Sequence, residues 1–544
     1  MSIQKDVATK SERGMLLLAL SILVLLTVVA IVSRPLTPID ETRYISVAWE
    51  MWLRGDLLVP FKNGAPYSHK PPLMMWLYQA GWAVFGVNEW WPRLVHPLVS
   101  AGNLLLMIGL SKRLWPDRPD IGGPAALILV SSLLWTIFST SAMFDVILAF
   151  FTLLGMYGTL VAADGERRRG MVWLGVAIGL GVLAKGPVIL LHVLPVAVLA
   201  PWWKPGLRRA HWYGGIFLAV LLGAGIALLW AIPAGMSGGE EYRKAIFWGQ
   251  TADRMVESFA HRRPTWWYLP LLPVIFFPWF IWPGLWRTLR RFIGRDIDRG
   301  GRFCLAWMLP VFVAFSLISG KQPHYLIPIF PAFALLAARS LVAEERIKGL
   351  WMPTLAALSI GVAFLVMAKG GLGPKVGDQK MFTEMWPGLL MITAVVLLYL
   401  FGRHTANPIP ALALLGAGVS ALGQLALARP LYPAYDVRPI AIAIHDAQAN
   451  GHLVAHLGEY HNQYHFAGRL QSPLPLFDDA EPLKAWLIDH PEAYVVLYPK
   501  STRSLAGIEV IATQSYLGGA VALLAAQPAL SVLSTQESID SRLD

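Results

Sequence analysis

The sequence predicts a polytopic α-helical membrane protein that carries a small α/β domain at its C-terminal end. Three observations lead there. Of the 544 residues, 56% are apolar or aromatic and only 15% are charged, against about 25% charged in soluble domains. Apolar runs near the length needed to cross a bilayer, about 20 residues, recur along the chain. They stop at Ala428, and a more polar tail follows. This composition excludes a cytosolic enzyme, a disordered chain and a fibrous repeat. No period of 20–50 residues marks a solenoid or propeller.

The first apolar run, 14–33, follows a segment carrying Lys5, Lys10 and Arg13. It is long for a signal peptide, and Arg34-Pro35-Leu36 is not a small-residue cleavage site. It therefore reads as an uncleaved span with the N-terminus inside. Further runs lie near 93–111, 121–139, 142–162, 171–185, 187–201, 213–234, 266–286, 303–319, 324–342, 350–368, 384–402 and 408–428. Thirteen spans that start inside place the C-terminus outside. The positive charges agree: 22 of the 45 Lys and Arg fall in the inside loops, which are short, as topology rules require. The net charge of +11 is therefore largely topological and gives no reason to expect nucleic acid. A single cysteine, Cys304, permits neither an intrachain disulfide nor a zinc site built from several thiolates.

Two outside loops are long, 34–92 and 235–265, so a membrane domain is expected over 1–428 and an outer α/β domain over 429–544. In the tail, 445–460 reads as helix, glycine turn and strand, and 493–500 as a buried strand. Asp478-Asp479 and His461 to His465 read as solvated loop.

Charges near membrane depth are costly and usually functional. Those that neither snorkel inward nor sit in the tail are Asp40, Glu41, His69, Lys70, Asp145, Lys185, Arg254, Glu257, His261, Lys321 and His324, with Tyr325 beside them. All fall at outside span ends. A secondary transporter would place coupling charges near the midplane of broken helices, whereas this chain builds one polar face at one interface. Acids, lysines and histidines there suit an anionic, lipid-linked substrate. Each residue also has a plainer reading. Asp40 could cap the helix that follows, whose Ile45, Ala48, Trp49 and Trp52 mark a face suited to lying in the interface. Glu41 reads as a hydrogen-bond partner, and Asp145 as a loop residue. Lys70 and Lys185 could snorkel, but Pro or Gly-Pro follows each and fixes the chain for phosphate binding. Arg254 shares its loop with Arg262 and Arg263. His69, His261 and His324 could ligate a metal or be solvated.

The stretch 38–76, with Asp-Glu-Thr-Arg-Tyr, Asn63-Gly64 and Lys70-Pro71-Pro72, resembles the first periplasmic loop of the GT-C glycosyltransferases. Within these it is most similar to the protein O-mannosyltransferase-like group that includes the bacterial lipid A aminoarabinose transferases. The segments MFD at 143–145, AKGP at 184–187 and HYLIP at 324–328 match in order. The resemblance implies a GT-C fold of about 13 spans. It also implies an inverting transfer of 4-amino-4-deoxy-L-arabinose or a related sugar from a polyprenyl-phosphate donor. Asp40, Glu41 and Asp145 match the acidic catalytic positions, and Lys70, Lys185, Arg254 and Tyr325 match positions around the donor phosphate. One position departs from the pattern: His69 stands where those transferases carry a Glu that, with a His, helps hold a metal. A divalent zinc or magnesium ion at the donor phosphate, on His69, His261 and His324, stays open on these grounds, and no other cofactor is implied. The expected partners are the polyprenyl-phosphate-sugar donor, lipid A or another periplasmic acceptor, and membrane lipids, with the protein a monomer in the bacterial inner membrane. Protein O-glycosylation is the alternative within the class, and a lipid-linked sugar flippase the alternative outside it.

Overall fold

The computed structural model describes residues 2–249, 262–294, 297–344, 347–370, 375–376, 379–380, 382–405 and 407–534. Among these, eight helices are long and apolar enough to cross a membrane: Ser11–Ser33, Trp90–Leu114, Phe144–Ala163, Arg209–Ser237, Arg299–Leu317, Pro323–Leu341, Trp351–Gly370 and Ile409–Ala428. The other apolar runs form shorter or interrupted elements. The run 121–139 divides at Ser132 into Gly122–Ser131 and Leu133–Phe138, because Ser132 leaves helical geometry. The run 187–201 gives Val188–Val198 and the single turn Ala200–Trp203. The proline-rich run 266–286 forms short turns before the helix Pro283–Gly294 begins.

Small residues set how the bundle packs. Helices Phe144–Ala163 and Arg167–Lys185 form an antiparallel hairpin. A Cβ on Gly170 would stand 2.2 Å from the Ala162 nitrogen, and one on Gly158 would stand 2.8 Å from the Leu174 nitrogen. The two backbones are that close only because these positions lack side chains, a recurrent device in membranes where apolar burial gives no preference for helix contact over lipid. Helix Arg209–Ser237 meets the same hairpin through Gly223, opposite Ile178. The consequence is positional. A hairpin with its turn at 164–166 brings the start of the first helix and the end of the second to one end of the bundle. Asp145 and Lys185 sit at those two points.

At the same end, Arg93 ties the first helix to the helix Trp90–Leu114. Its guanidinium is 8% exposed and donates to the carbonyls of Ala30 (2.8 Å), Arg34 (2.6 Å) and Ile31 (3.4 Å). The open carbonyls at a helix C-terminus are thereby satisfied. The chain then enters the helix Asp40–Arg54, which ends at Gly55 (φ +62°) with its N–H on the Met51 and Trp52 carbonyls. A left-handed residue is the common way to end a helix, and glycine adopts it without strain.

After Ala428 the chain builds a five-stranded mixed sheet in the order Leu476–Phe477, Val454–Leu457, Tyr494–Leu497, Gly519–Ala525, Ala512–Tyr516. The first three strands run parallel and the last two pair antiparallel. Val454, Val496 and Leu523 face one apolar layer with the helix Arg438–Ala449. Ala455, Val495 and Leu524 alternate onto the other with the helices Ala480–Asp489 and Ala526–Ser534. Both faces are covered, so the strands read as continuous apolar runs.

This sheet region lies against the first long loop, and two expectations change as a result. The helix Asp40–Arg54 is buried almost all round, from Glu41 to Met51 with only Arg43 less covered, rather than lying with one face open. The tail supplies the cover: Trp49 Nε1 donates to the Leu470 carbonyl (3.0 Å), Phe466 stacks on Trp82 at 5.4 Å, and the Phe466 N–H reaches Ser46 Oγ (3.0 Å). The segment His461 to His465, expected as solvated loop, is buried: His461 is 9% exposed, Asn462 and Tyr464 are fully enclosed, and His465 is 2% exposed. Most of its polar groups are matched, His461 Nε2 excepted. Asn462 Nδ2 donates to Glu50 (2.7 Å), whose two oxygens also accept the N–H groups of Asn63 (2.6 Å) and Gly64 (2.8 Å). Asn63 and Leu474 exchange hydrogen bonds at 2.8 and 2.9 Å. Such segments look solvated in sequence because the groups that satisfy them lie some four hundred residues away.

Candidate active site

Glu41 joins two parts of the site. It is 3% exposed and accepts from the Arg34 guanidinium, the Thr37 N–H (2.8 Å) and hydroxyl, and the Ala142 N–H (2.7 Å). Burial alone would raise its pKa, but the Arg34 charge and the Thr37 donors outweigh that and hold it at about 2. Arg34 also donates to the Thr140 carbonyl (2.9 Å). The first loop is thus fixed onto the turn that starts the helix Phe144–Ala163.

Asp40 does not cap its helix. Ile39 holds the capping position without a side-chain bond. The Asp40 carboxylate instead pairs with Arg43 and accepts from the Tyr44 hydroxyl (2.9 Å), and it is 44% exposed. It is therefore both aimed and open to a partner. Asp145 is 1% exposed and pairs with Lys185 at 2.5 Å. The sequence offers Asp145 no cationic neighbour; the helical hairpin supplies one. Asp145 lies in the first turn of its helix and Lys185 in the last turn of the next, so each charge suits its helix end.

Around this pair, the Lys185 ammonium stands 5.2 Å from the Tyr325 ring centre, and the Lys70 ammonium 5.8 Å from that of Phe144. His324 packs on Phe138 at 5.3 Å, and the charges of Asp145, Lys185, Asp40 and Lys70 all act on it. Asp40, Asp145, Lys70, Lys185, His324 and Tyr325 thus meet at one end of the bundle, although they come from four separate stretches of chain. Lys321 has a different part. It is buried and donates to the Arg263 carbonyl (2.9 Å) and to that of Ile318, joining the second loop to the 318–324 turn. Arg254, Glu257 and His261 lie outside the described residues.

Among the described residues, no three His, Cys, Asp or Glu side chains stand together as a metal site. His69 stacks on the Tyr67 ring at 5.2 Å. His261, the third of the candidate histidines, lies outside the described residues, and no step is routed through a metal ion.

Three neighbours of Asp40 were not singled out from the sequence. Arg43 and Tyr44 are three and four residues on, spacing that puts them on one helix face with it. His461 comes from the tail, and the charges of Arg43, Lys62 and Asp40 all act on it. No local signal in the sequence marks it.

Residues 14–241 match the family model described as dolichyl-phosphate-mannose-protein mannosyltransferase. The chain is 33% identical over 338 residues to an undecaprenyl phosphate-alpha-4-amino-4-deoxy-L-arabinose arabinosyl transferase of Pseudomonas aeruginosa, covering 60% of each protein. It is 28% identical over 387 residues, 68% of each, to the protein of that name from Enterobacter. The chain thus matches about 60% of the length of the first of these curated relatives. Its structure is similar to apo ArnT from Cupriavidus metallidurans, with a TM-score of 0.74, 21% identity, and 95% of this chain and 99% of that one covered. Against the same enzyme bound to undecaprenyl phosphate the TM-score is 0.71 at 22% identity, with 93% and 97% covered. The fold is that of ArnT from Cupriavidus metallidurans, and the apolar helices make this a multi-pass membrane protein.

Proposed function

We propose that this protein is an inverting glycosyltransferase. It moves 4-amino-4-deoxy-L-arabinose or a related sugar from an undecaprenyl-phosphate-type donor to lipid A at the periplasmic face of the inner membrane. In this reading the N-terminus is cytoplasmic and the tail periplasmic. The observation that carries it is the meeting, at one end of the bundle, of an open aspartate with two lysines beside a buried acid. The similarity to named aminoarabinose transferases supports the choice of donor and sugar.

The acceptor oxygen attacks the anomeric carbon, the bond from that carbon to the phosphate oxygen breaks, and the electron pair leaves on the phosphate. Phosphate is a weak base, so no acid need protonate it, but the charge it gains must be met. Lys185 and Lys70 do this, as fixed cations act where charge develops. Arg254 belongs to the same group in this reading. Asp145 acts through Lys185: it holds one ammonium hydrogen and leaves two for the phosphate. Tyr325 lines the Lys185 side. Asp40, oriented by Arg43 and Tyr44, aims the acceptor and takes its proton where that acceptor is a hydroxyl or a protonated phosphate. Glu41 keeps the two halves of the site in register.

A flippase would share the need for phosphate-binding cations but has no use for an open acid beside them. The test is the purified protein in proteoliposomes, with the lipid-linked aminoarabinose donor on one side and lipid A present. A transferase releases undecaprenyl phosphate and requires the acceptor. Movement of intact donor across the bilayer, without release, would overturn the proposal.

A further inference from the structure

The helix Phe144–Ala163 carries Asp145 in its first turn and is closed by Asp164 at its other end. Its 20 residues rise about 30 Å, the thickness of a bilayer's hydrocarbon core. The turn at 164–166 therefore stands at head-group depth in the leaflet opposite the site. The transfer reaction gives no task to the charges gathered there.

Asp164 is the meeting point of three cations from three other parts of the bundle. Arg299 Nη2 lies 2.6 Å from its carboxylate, Lys204 Nζ 3.6 Å and Arg113 Nη1 3.9 Å. None of the three makes a hydrogen bond to it. The Lys204 and Arg113 distances are too long, and Nη2 and Nε of Arg299 are both buried without a hydrogen-bond partner. Arg113 Nη2 also stands 3.5 Å from Glu166, which pairs with Arg169 at 2.8 Å. Four cations thus share two carboxylates, and two positive charges are left over. The side chains of Asp164, Arg113, Lys204 and Arg299 are between 23% and 34% exposed, so the group is open to the head-group layer. An apolar surface adjoins it. The Arg299 guanidinium is 5.6 Å from the Trp203 ring centre. The next ring, Trp202, is exposed, as are Val198 and Tyr213, whose hydroxyl donates to the Val198 carbonyl at 3.1 Å. Exposed Trp and Tyr at this depth mark the boundary between head groups and acyl chains.

Like charges held this close with too few acids are unfavourable unless an anion joins them, and basic pockets between helices at a membrane surface take anionic lipid head groups. We infer that Arg113, Lys204 and Arg299 form a binding site for the phosphodiester head group of an anionic phospholipid, whose chains lie along Val198 and Trp202. The lipid completes the charge balance around Asp164 and holds the hairpin turn at one depth. Because Asp145 and Lys185 stand at the other end of that hairpin, it also sets the depth of the site in the far leaflet. In the orientation proposed above, the lipid belongs to the cytoplasmic leaflet. The inference goes beyond the transferase reading and stands without it.

The test is lipid binding to the full-length protein in detergent, read by native mass spectrometry, with phosphatidylglycerol, phosphatidylcholine and inorganic phosphate as separate probes. The wild type binds one phosphatidylglycerol more tightly than phosphatidylcholine by about tenfold, and inorganic phosphate at the same concentration does not displace it. K204Q and R113Q each leave Asp164 two cations and weaken phosphatidylglycerol binding by about fivefold, the worth of one cation near an anionic lipid. D164N keeps every cation and removes the carboxylate that competes with the phosphate, so it binds phosphatidylglycerol more tightly by about fivefold and gains more from that lipid in thermal unfolding than the wild type does. Equal binding of the two lipids, unchanged affinity in K204Q and R113Q, or weaker binding in D164N would overturn the inference and leave the cluster a staple between helix ends. Displacement by inorganic phosphate would overturn the lipid as its occupant in favour of a soluble anion.

Discussion

Lys185 is asked to do two things, and they can be separated. In Lys185→Met the Asp145 carboxylate, 1% exposed, keeps its burial and loses its partner at 2.5 Å. Removing one member of a buried pair costs about 3–5 kcal/mol, because a bare charge stays in a low-dielectric setting. The variant should therefore unfold at clearly lower temperature in detergent or nanodiscs. Adding Asp145→Asn removes the stranded charge, and the double variant should regain stability to within about 1 kcal/mol of wild type, since replacing both partners is often near neutral. Donor binding should not recover. A hydrogen bond from an ammonium to phosphate is worth about 1.5–3 kcal/mol, so undecaprenyl phosphate should bind the double variant about 10- to 150-fold more weakly. The assay is paired: thermal unfolding for the first effect, a lipid-binding titration for the second. A double variant that regains wild-type donor affinity together with stability would refute the phosphate role and leave Lys185 a structural partner of Asp145.

Other consequences can be checked in the same preparations. Asp40→Asn should lower the transfer rate by about 10²–10⁴, the usual contribution of a positioned base, while protein level and undecaprenyl phosphate binding stay normal; retained transfer would remove the base assignment. Glu41 is held at about 2 against an ordinary value of 4.5. A lowered carboxyl pKa stabilises above the ordinary value and is lost as pH falls from about 4.5 towards 2, so wild type should lose about 3 kcal/mol across that window. Glu41→Gln should show a flatter profile in pH-dependent unfolding. Asn462→Asp sets a carboxylate against Glu50 in place of a 2.7 Å donor and should release the 459–470 segment, seen as new protease cleavage there.

What could be read from the sequence depended on how far a signal had to travel. The eight long spans among the described residues were legible because each is a local count of apolar residues; the remaining runs, expected as spans, are shorter or interrupted. The polar face at one end was legible because alternating spans return every second junction to the same side, and Asp40, Lys70, Asp145, Lys185 and His324 all stand at such junctions. The partner of Asp145 was not legible, since it depends on Gly158 and Gly170 letting two helices meet backbone to backbone. The burial of the helix Asp40–Arg54 was misread for a related reason: Ile45, Ala48, Trp49 and Trp52 announce one apolar face, but the cover on the other comes from residues 460–474. His461 had no signal of its own; a histidine in a polar stretch is distinguished only by what folds against it.

Transfer of an amino sugar onto lipid A by this site is read out in the mass spectrum of lipid A. Extracts from cells carrying the gene, cells lacking it, and cells carrying Asp40→Asn should be compared. The predicted result is lipid A with an added aminopentose on phosphate in the first and in neither of the others. Identical lipid A spectra in all three would contradict it.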